Sequence, residues 1–275
     1  MKTRIITAVV SLILLAAVLC FHSTIILNIA VAALTALMMF ELFRTNKLLK
    51  SALFAGSLCL SVFFPFAVRF LALSDSVYIY FGVIFAYIIL YALDVFVGYE
   101  KTDVGVYSTV LLYSLLISVA MSCLCVIEVS SEKYGLLTLI LTFCGAWLDD
   151  TGAYFVGTFL GKHKLCPKIS PKKTVEGFIG GILTDVILFV VFGIVVDLAI
   201  ADAQVNYILM AFLGAGCALL GVTGDLFASV IKRHCDVKDY GNIFPGHGGA
   251  LDRFDSVVFV APFMALCASG IGIFG

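Results

Sequence analysis

The strongest constraint on this chain is a repeated one: apolar runs long enough to cross a bilayer, separated by short polar connections. A helix rises about 1.5 Å per residue, so crossing the hydrocarbon core takes about 20 mainly apolar residues. Nine such runs can be read, over 5–21, 24–42, 48–66, 77–96, 107–127, 136–160, 175–196, 208–230 and 256–274. The first two are joined so tightly that one reentrant hairpin is the alternative there. The expected fold is all-α: a polytopic membrane protein of about nine transmembrane helices with its active site on the cytoplasmic face. It reads as one integral membrane domain over 1–275, with N-terminal spans in 1–134 and a motif-bearing catalytic half in 135–275.

Composition excludes a soluble globular domain. Hydrophobic residues make up 62% of the chain and charged residues 13%, against roughly 25% charged in soluble domains. The formal net charge of -1 gives no footprint for nucleic acid, and no such partner is expected. The nine cysteines lie mostly in apolar runs and lack zinc-ribbon spacing, so most read as small buried apolar residues. Lys2 and Arg4 before the first run resemble a signal peptide, but Leu19 before Cys20 makes a poor lipoprotein cleavage motif. A retained first span is expected.

The basic residues orient the bundle. With nine spans, every Lys and Arg except Arg69 and Lys133 falls on the side that holds the N-terminus and the even-numbered loops. By the positive-inside rule that side is cytoplasmic.

Two polar elements fall on that side. The first, GKHKLCPKISPKKT over 161–174, follows a span containing Asp149 and Asp150. Acids inside an apolar span are costly and usually functional. Asp150, Tyr154, Gly157 and Gly161 recur at helical spacing; a packing stripe explains the glycines but not the acids. Ser170 and Pro171 are expected to rigidify or cap the chain before the next span. Lys172 and Lys173 at the helix entrance suit a phosphate ligand, against the plainer reading that they serve topology alone.

The second element runs over 224–256. Asp225, Ser229 and Lys232 share a helical face, with Arg233 beside them. His247 lies among Gly246, Gly248 and Gly249, where backbone N–H groups could approach an anion. Asp252 and Asp255 follow, one helical turn apart. Carboxylates, bases and a glycine-rich turn together suggest metal-assisted phosphoryl or nucleotidyl transfer. Asp225, Asp252 and Asp255 are the expected ligands of a divalent cation, Mg²⁺, with Asp150 in support and Asp239 as competitor. Lys172, Lys173, Lys232 and Arg233 are expected at phosphates. His247 either donates to a phosphate oxygen or braces its loop.

The stretch SVIKRHCDVKDYGNIFPGHGGALDRFD over 229–255 closely resembles the signature of the bacterial phosphatidate cytidylyltransferases, also called CDP-diacylglycerol synthases. The likeness extends upstream to Gly224 and Asp225, and to Asp150, Ala153, Tyr154, Gly157, Gly161, Pro167, Ile169, Ser170, Pro171, Lys172, Lys173, Thr174, Glu176 and Gly177. Before about residue 135 only hydropathy agrees. Ala228 stands where the family usually has Glu, and Tyr240 where it commonly has Ser. The resemblance implies that CTP and phosphatidate give CDP-diacylglycerol and pyrophosphate in phospholipid biosynthesis, and it carries the expectation of a homodimer. Asp225, Lys232, Arg233, Asp252 and Asp255 are then catalytic. Asp150, Ser170, Lys172, Lys173, Ser229, His247, Gly248 and Gly249 are then substrate-binding. A transporter or a CTP-dependent polyprenol kinase is the alternative class. A CDP-alcohol phosphotransferase would need a D-G-x-x-A-R cluster, which the chain lacks.

Overall fold

Backbone groups in hydrocarbon must be satisfied within the segment, which makes helices of the apolar runs. The computed structural model describes residues 2–71, 73–98, 103–200, 203–246 and 248–274, of which 2–5 and 73–76 are described by their backbone. Among these residues the helices are α1 (Lys2–Cys20), α2 (Ile25–Thr45), α3 (Ala52–Phe70), α4 (Leu73–Val97), α5 (Val104–Ser130), α6 (Gly135–Leu160), α7 (Val175–Ala199), α8 (Tyr207–His234) and α9 (Leu251–Gly270). Among the described residues a helix overlaps each of the nine expected runs. Seven of them, α2 to α8, are long and apolar enough to cross a membrane, so the chain is a multi-pass membrane protein. The described apolar part of α1 is shorter, and α9 carries Asp252, Arg253 and Asp255 in its first turns.

Polar side chains fix where helices begin, by accepting N–H groups that have no partner inside the helix. Thr24, Ser51, Thr174 and Asn206 each do this for the helix that follows. Asp103 accepts from Gly105 and Val106 at the start of α5.

The chain forms two compact units. The first comprises 1–125 and 239–253. In it α2 packs on α3, and the Asn28 amide donates to the carbonyl of Pro65 at 2.8 Å. Asp94 of α4 accepts the N–H groups of Ala52 and Leu53 at the start of α3, and Tyr87 of α4 bonds Ser114 of α5 at 2.7 Å.

The second unit comprises 126–238 and 254–275. Its centre is the seam of α6 and α7, where glycines bring two backbones together. A Cβ at Gly177 would lie 2.7 Å from the carbonyl oxygen of Ala153, and one at Gly181 3.0 Å from that of Asp149. Helix α8 closes on α7 in the same manner at Gly214, against the backbone of Asp185.

The segment 161–174 is not a loop. It folds as an antiparallel hairpin of β1 (Lys164–Cys166) and β2 (Ser170–Thr174), paired Lys164 with Thr174 and Cys166 with Ser170. Consequently Ser170 does not cap α7; Thr174 does, accepting from Gly177 N–H at 3.1 Å. All nine cysteines are free, and Cys20 and Cys59 lie exposed rather than buried.

Candidate active site

In a strand, neighbouring side chains point to opposite faces. Strand β2 therefore separates the two adjacent lysines: Lys172 is exposed, while the Lys173 side chain is only 20% exposed. Lys173 Nζ lies 2.6 Å from Asp225 Oδ2 of α8 and 3.9 Å from Asp150 Oδ1 of α6. The contact with Asp225 is an ion pair without a well-angled hydrogen bond from Nζ. Burial pulls the ammonium's pKa down, but the carboxylates of Asp225 and Asp150 outweigh it and hold the group above its usual range.

Helical spacing sets the rest of this cluster. Asp225, Ser229 and Lys232 lie on one face of α8, with Ser229 and Lys232 buried. Asp255 on α9 is buried within electrostatic range of Asp225 and Lys232, and its Oδ1 accepts Ser256 N–H. Arg233 turns outward and ties the end of α8 to the hairpin: its Nε donates to Ile169 O at 3.4 Å and its Nη1 to Val237 O at 3.3 Å. The hairpin is latched at its other end, where Glu176 accepts the N–H groups of Lys162 and His163 and lies 2.6 Å from His163 Nδ1. Thus Asp150, Lys173 and Asp225 come together, and so do Asp225, Lys232 and Asp255. Tyr154 is exposed, whereas Gly157 and Gly161 face Thr174, so the expected stripe on α6 divides into two.

The glycine-rich turn belongs to the first unit. Gly246 and Gly248 have φ of 82° and 91°, values that L side chains rarely adopt. His247 lies outside the described residues. Gly248 O accepts from Phe244 N–H. Asp252 is buried and its Oδ2 accepts two backbone N–H groups, Tyr240 at 2.8 Å and Gly249 at 2.9 Å. Asp252 thus shapes the loop that precedes its own helix.

Three further acids are buried in apolar helices among the described residues. Asp149 is 1% exposed and Asp185 0% exposed, and no carboxylate oxygen of either has a hydrogen-bond partner. Glu41 is 1% exposed and accepts Leu251 N–H at 2.8 Å. Neither Glu41 nor Asp185 is among the site residues expected from the sequence. The available signal was the one used for Asp149: a carboxylate inside an apolar run. Among the described residues no three His, Cys, Asp or Glu side chains converge as a ready-made metal cage.

A family model for the cytidylyltransferase family matches residues 2–269. The phosphatidate cytidylyltransferase of Bacillus subtilis (strain 168) is 49% identical over 133 residues, covering 48% of each chain. That of Staphylococcus epidermidis (strain ATCC 12228 / FDA PCI 1200) is 47% identical over 137 residues, covering 50% of each. The chain thus spans about half the length of the curated relatives it matches. The family match, by contrast, runs nearly end to end, through both the Lys173–Asp225 cluster and the glycine-rich turn: this chain belongs to the cytidylyltransferase family.

Proposed function

We propose that the protein transfers a cytidylyl group from CTP to phosphatidate, giving CDP-diacylglycerol and pyrophosphate. A phosphate oxygen of the lipid attacks the α-phosphorus of CTP, the bond to the bridging α–β oxygen breaks, and pyrophosphate leaves with that oxygen. The attacking group is already an anion near neutral pH, so the reaction needs alignment and charge neutralisation more than a strong base. The observation that carries this reading is the half-buried pairing of Lys173 with Asp225, beside buried Lys232 and Asp255. Alternating cations and carboxylates at the ends of apolar helices suit two anionic reactants, one of them a lipid.

The donor set also fits a hard divalent cation. The acids around Lys173 and Lys232 offer carboxylate oxygen only, and Mg²⁺ binds through few carboxylates while keeping waters and phosphate oxygens. No full protein cage is needed for that mode. Asp225, Asp252 and Asp255 are the proposed ligands, with Asp150 in support. When bound, the ion would neutralise charge on the triphosphate. Lys173 and Lys232, with Lys172 and Arg233, supply the remaining positive charge. Ser170, Ser229 and the turn at His247, Gly248 and Gly249 complete the substrate contacts.

Orientation belongs to the same reading. The N-terminus and both polar elements face the cytoplasm of the inner or plasma membrane, where CTP is present and phosphatidate can present its headgroup. A homodimer is the assembly that the family likeness favours.

The test is direct: purified protein in phosphatidate-containing vesicles with CTP labelled at the α-phosphate. Labelled lipid plus free pyrophosphate supports the assignment. Release of CDP with transfer of the γ-phosphate identifies a kinase instead, and movement of solute without either product identifies a transporter.

A further inference from the structure

We infer that Glu41, in the N-terminal helix α2, is a positioning residue for the glycine-rich turn and for Asp252. This rests on the proposed cytidylyl transfer for its functional meaning, but its geometry stands on its own.

Helix α9 begins at Leu251, directly after Ala250. Alanine has no side-chain acceptor and is among the poorest residues for closing a helix N-terminus. The first N–H groups of α9 therefore need an acceptor from elsewhere. Glu41 provides it: its Oε2 accepts Leu251 N–H at 2.8 Å, across 210 positions of sequence. The Ala250 backbone N–H also interacts with this carboxylate.

The surrounding sequence makes room for that carboxylate. A Cβ at Gly241 or at Gly249 would run into the Glu41 side chain. Asp252 grips the same segment through Tyr240 and Gly249 N–H. Two buried carboxylates, one from α2 and one from α9, thus hold the backbone at Tyr240, Gly249 and Leu251. Two hydroxyls add to this hold: Thr7 of α1 donates to Pro245 O at 3.0 Å, and Thr45 to Tyr240 O at 3.4 Å. Burying a carboxylate in an apolar helix is unfavourable unless its acceptors are used. The Leu251 and Ala250 N–H groups are the uses that the structure shows. The apolar N-terminal half, which carries none of the signature residues, therefore sets the shape of the signature loop.

The experiment compares wild type with Glu41→Ala and Glu41→Gln in the full-length, membrane-reconstituted protein. Gln keeps a carbonyl oxygen for Leu251 N–H, and Ala keeps nothing. Amide exchange of the 249–253 segment should speed up by about tenfold or more in Glu41→Ala and far less in Glu41→Gln, while exchange in α6 and α7 stays unchanged. Turnover per folded molecule should fall on the order of 100-fold in Glu41→Ala, the scale expected when reacting groups are displaced by about an ångström. It should be largely retained in Glu41→Gln, and the Mg²⁺ concentration for half-maximal turnover should rise in Glu41→Ala. Unchanged local exchange in Glu41→Ala overturns the inference, as does normal turnover per folded molecule at ordinary Mg²⁺. If wild type makes no CDP-diacylglycerol, the proposed reaction fails, and the exchange comparison still decides the role of Glu41. If Glu41→Ala does not fold, exchange in Glu41→Gln decides: protection of Leu251 equal to wild type, with a folded bundle, supports the hydrogen bond, and its loss overturns the proposed mode of action.

Discussion

Lys173 Nζ and Asp225 Oδ2 lie 2.6 Å apart, joining the β-hairpin to the cytoplasmically proposed end of α8. Lys172, the preceding residue, sits on the opposite face of the strand and is exposed. The two lysines look equivalent in sequence and are not equivalent in structure.

Replacing each by Met should separate them. Lys173→Met should lower kcat/KM on the order of 100-fold, the usual scale for losing a preorganised charge, with Lys172→Met much milder. The first change also leaves Asp225 and Asp150 without their shared cation. Because the pair is partly exposed, the stability cost should be about 1–2 kcal/mol, below that of a fully buried pair. The folded-state pKa of Lys173 is raised above 10.5. The stabilisation is then fully present below 10.5 and lost only as pH climbs past the folded value. The melting-temperature difference between wild type and Lys173→Met should stay constant from about pH 6 to pH 9; a difference that shrinks within that window would contradict the pairing.

Asp225→Asn and Asp252→Asn should each nearly abolish turnover while the bundle stays folded. Wild-type activity should vanish with chelator and return with added Mg²⁺. An Asn at 252 can still accept the Tyr240 and Gly249 N–H groups through its amide oxygen, so loop shape alone should survive that change. Near-normal turnover of both variants at ordinary Mg²⁺ would remove these residues from the proposed metal site.

Native cysteines report the topology. Cys166 lies in β1 and Cys235 just beyond α8. Membrane-impermeant maleimide should reach both only from the cytoplasmic side, in inverted vesicles and not in intact cells. Labelling of either from outside would sink the proposed orientation.

The crowding around Glu41 predicts a contrast between two glycines. Gly249→Ala should destabilise the protein by about 1–3 kcal/mol through overpacking against the carboxylate. Gly82→Ala on α4 meets nothing within 4 Å and should be neutral, or stabilising by up to about 1 kcal/mol from helix propensity. Thermal unfolding in one detergent or lipid mixture measures both.

The apolar runs made the described helices legible, because a bilayer leaves little choice of backbone. The face shared by Asp225, Ser229 and Lys232 was equally legible, since helical spacing is local. The hairpin was not: Ser-Pro-Lys-Lys-Thr has no alternation of apolar and polar residues to betray a strand. Thr174 rather than Ser170 became the cap because β2 carries the chain four residues farther before α7 begins. Glu41 escaped notice because its partner lies 210 positions away, and Asp185 because no nearby residue pairs with it along the helix.

The path of the chain through its two units has a consequence for biogenesis. Residues 1–125 are made before 126–238, yet their unit is completed only by 239–253. Between those stretches the ribosome must produce nearly all of the other unit. During that interval the Glu41 carboxylate has no Leu251 N–H to accept. The unit that holds residues 1–125 is thus among the last to acquire its final hydrogen bonds, and a chain arrested before residue 251 leaves that unit unfinished.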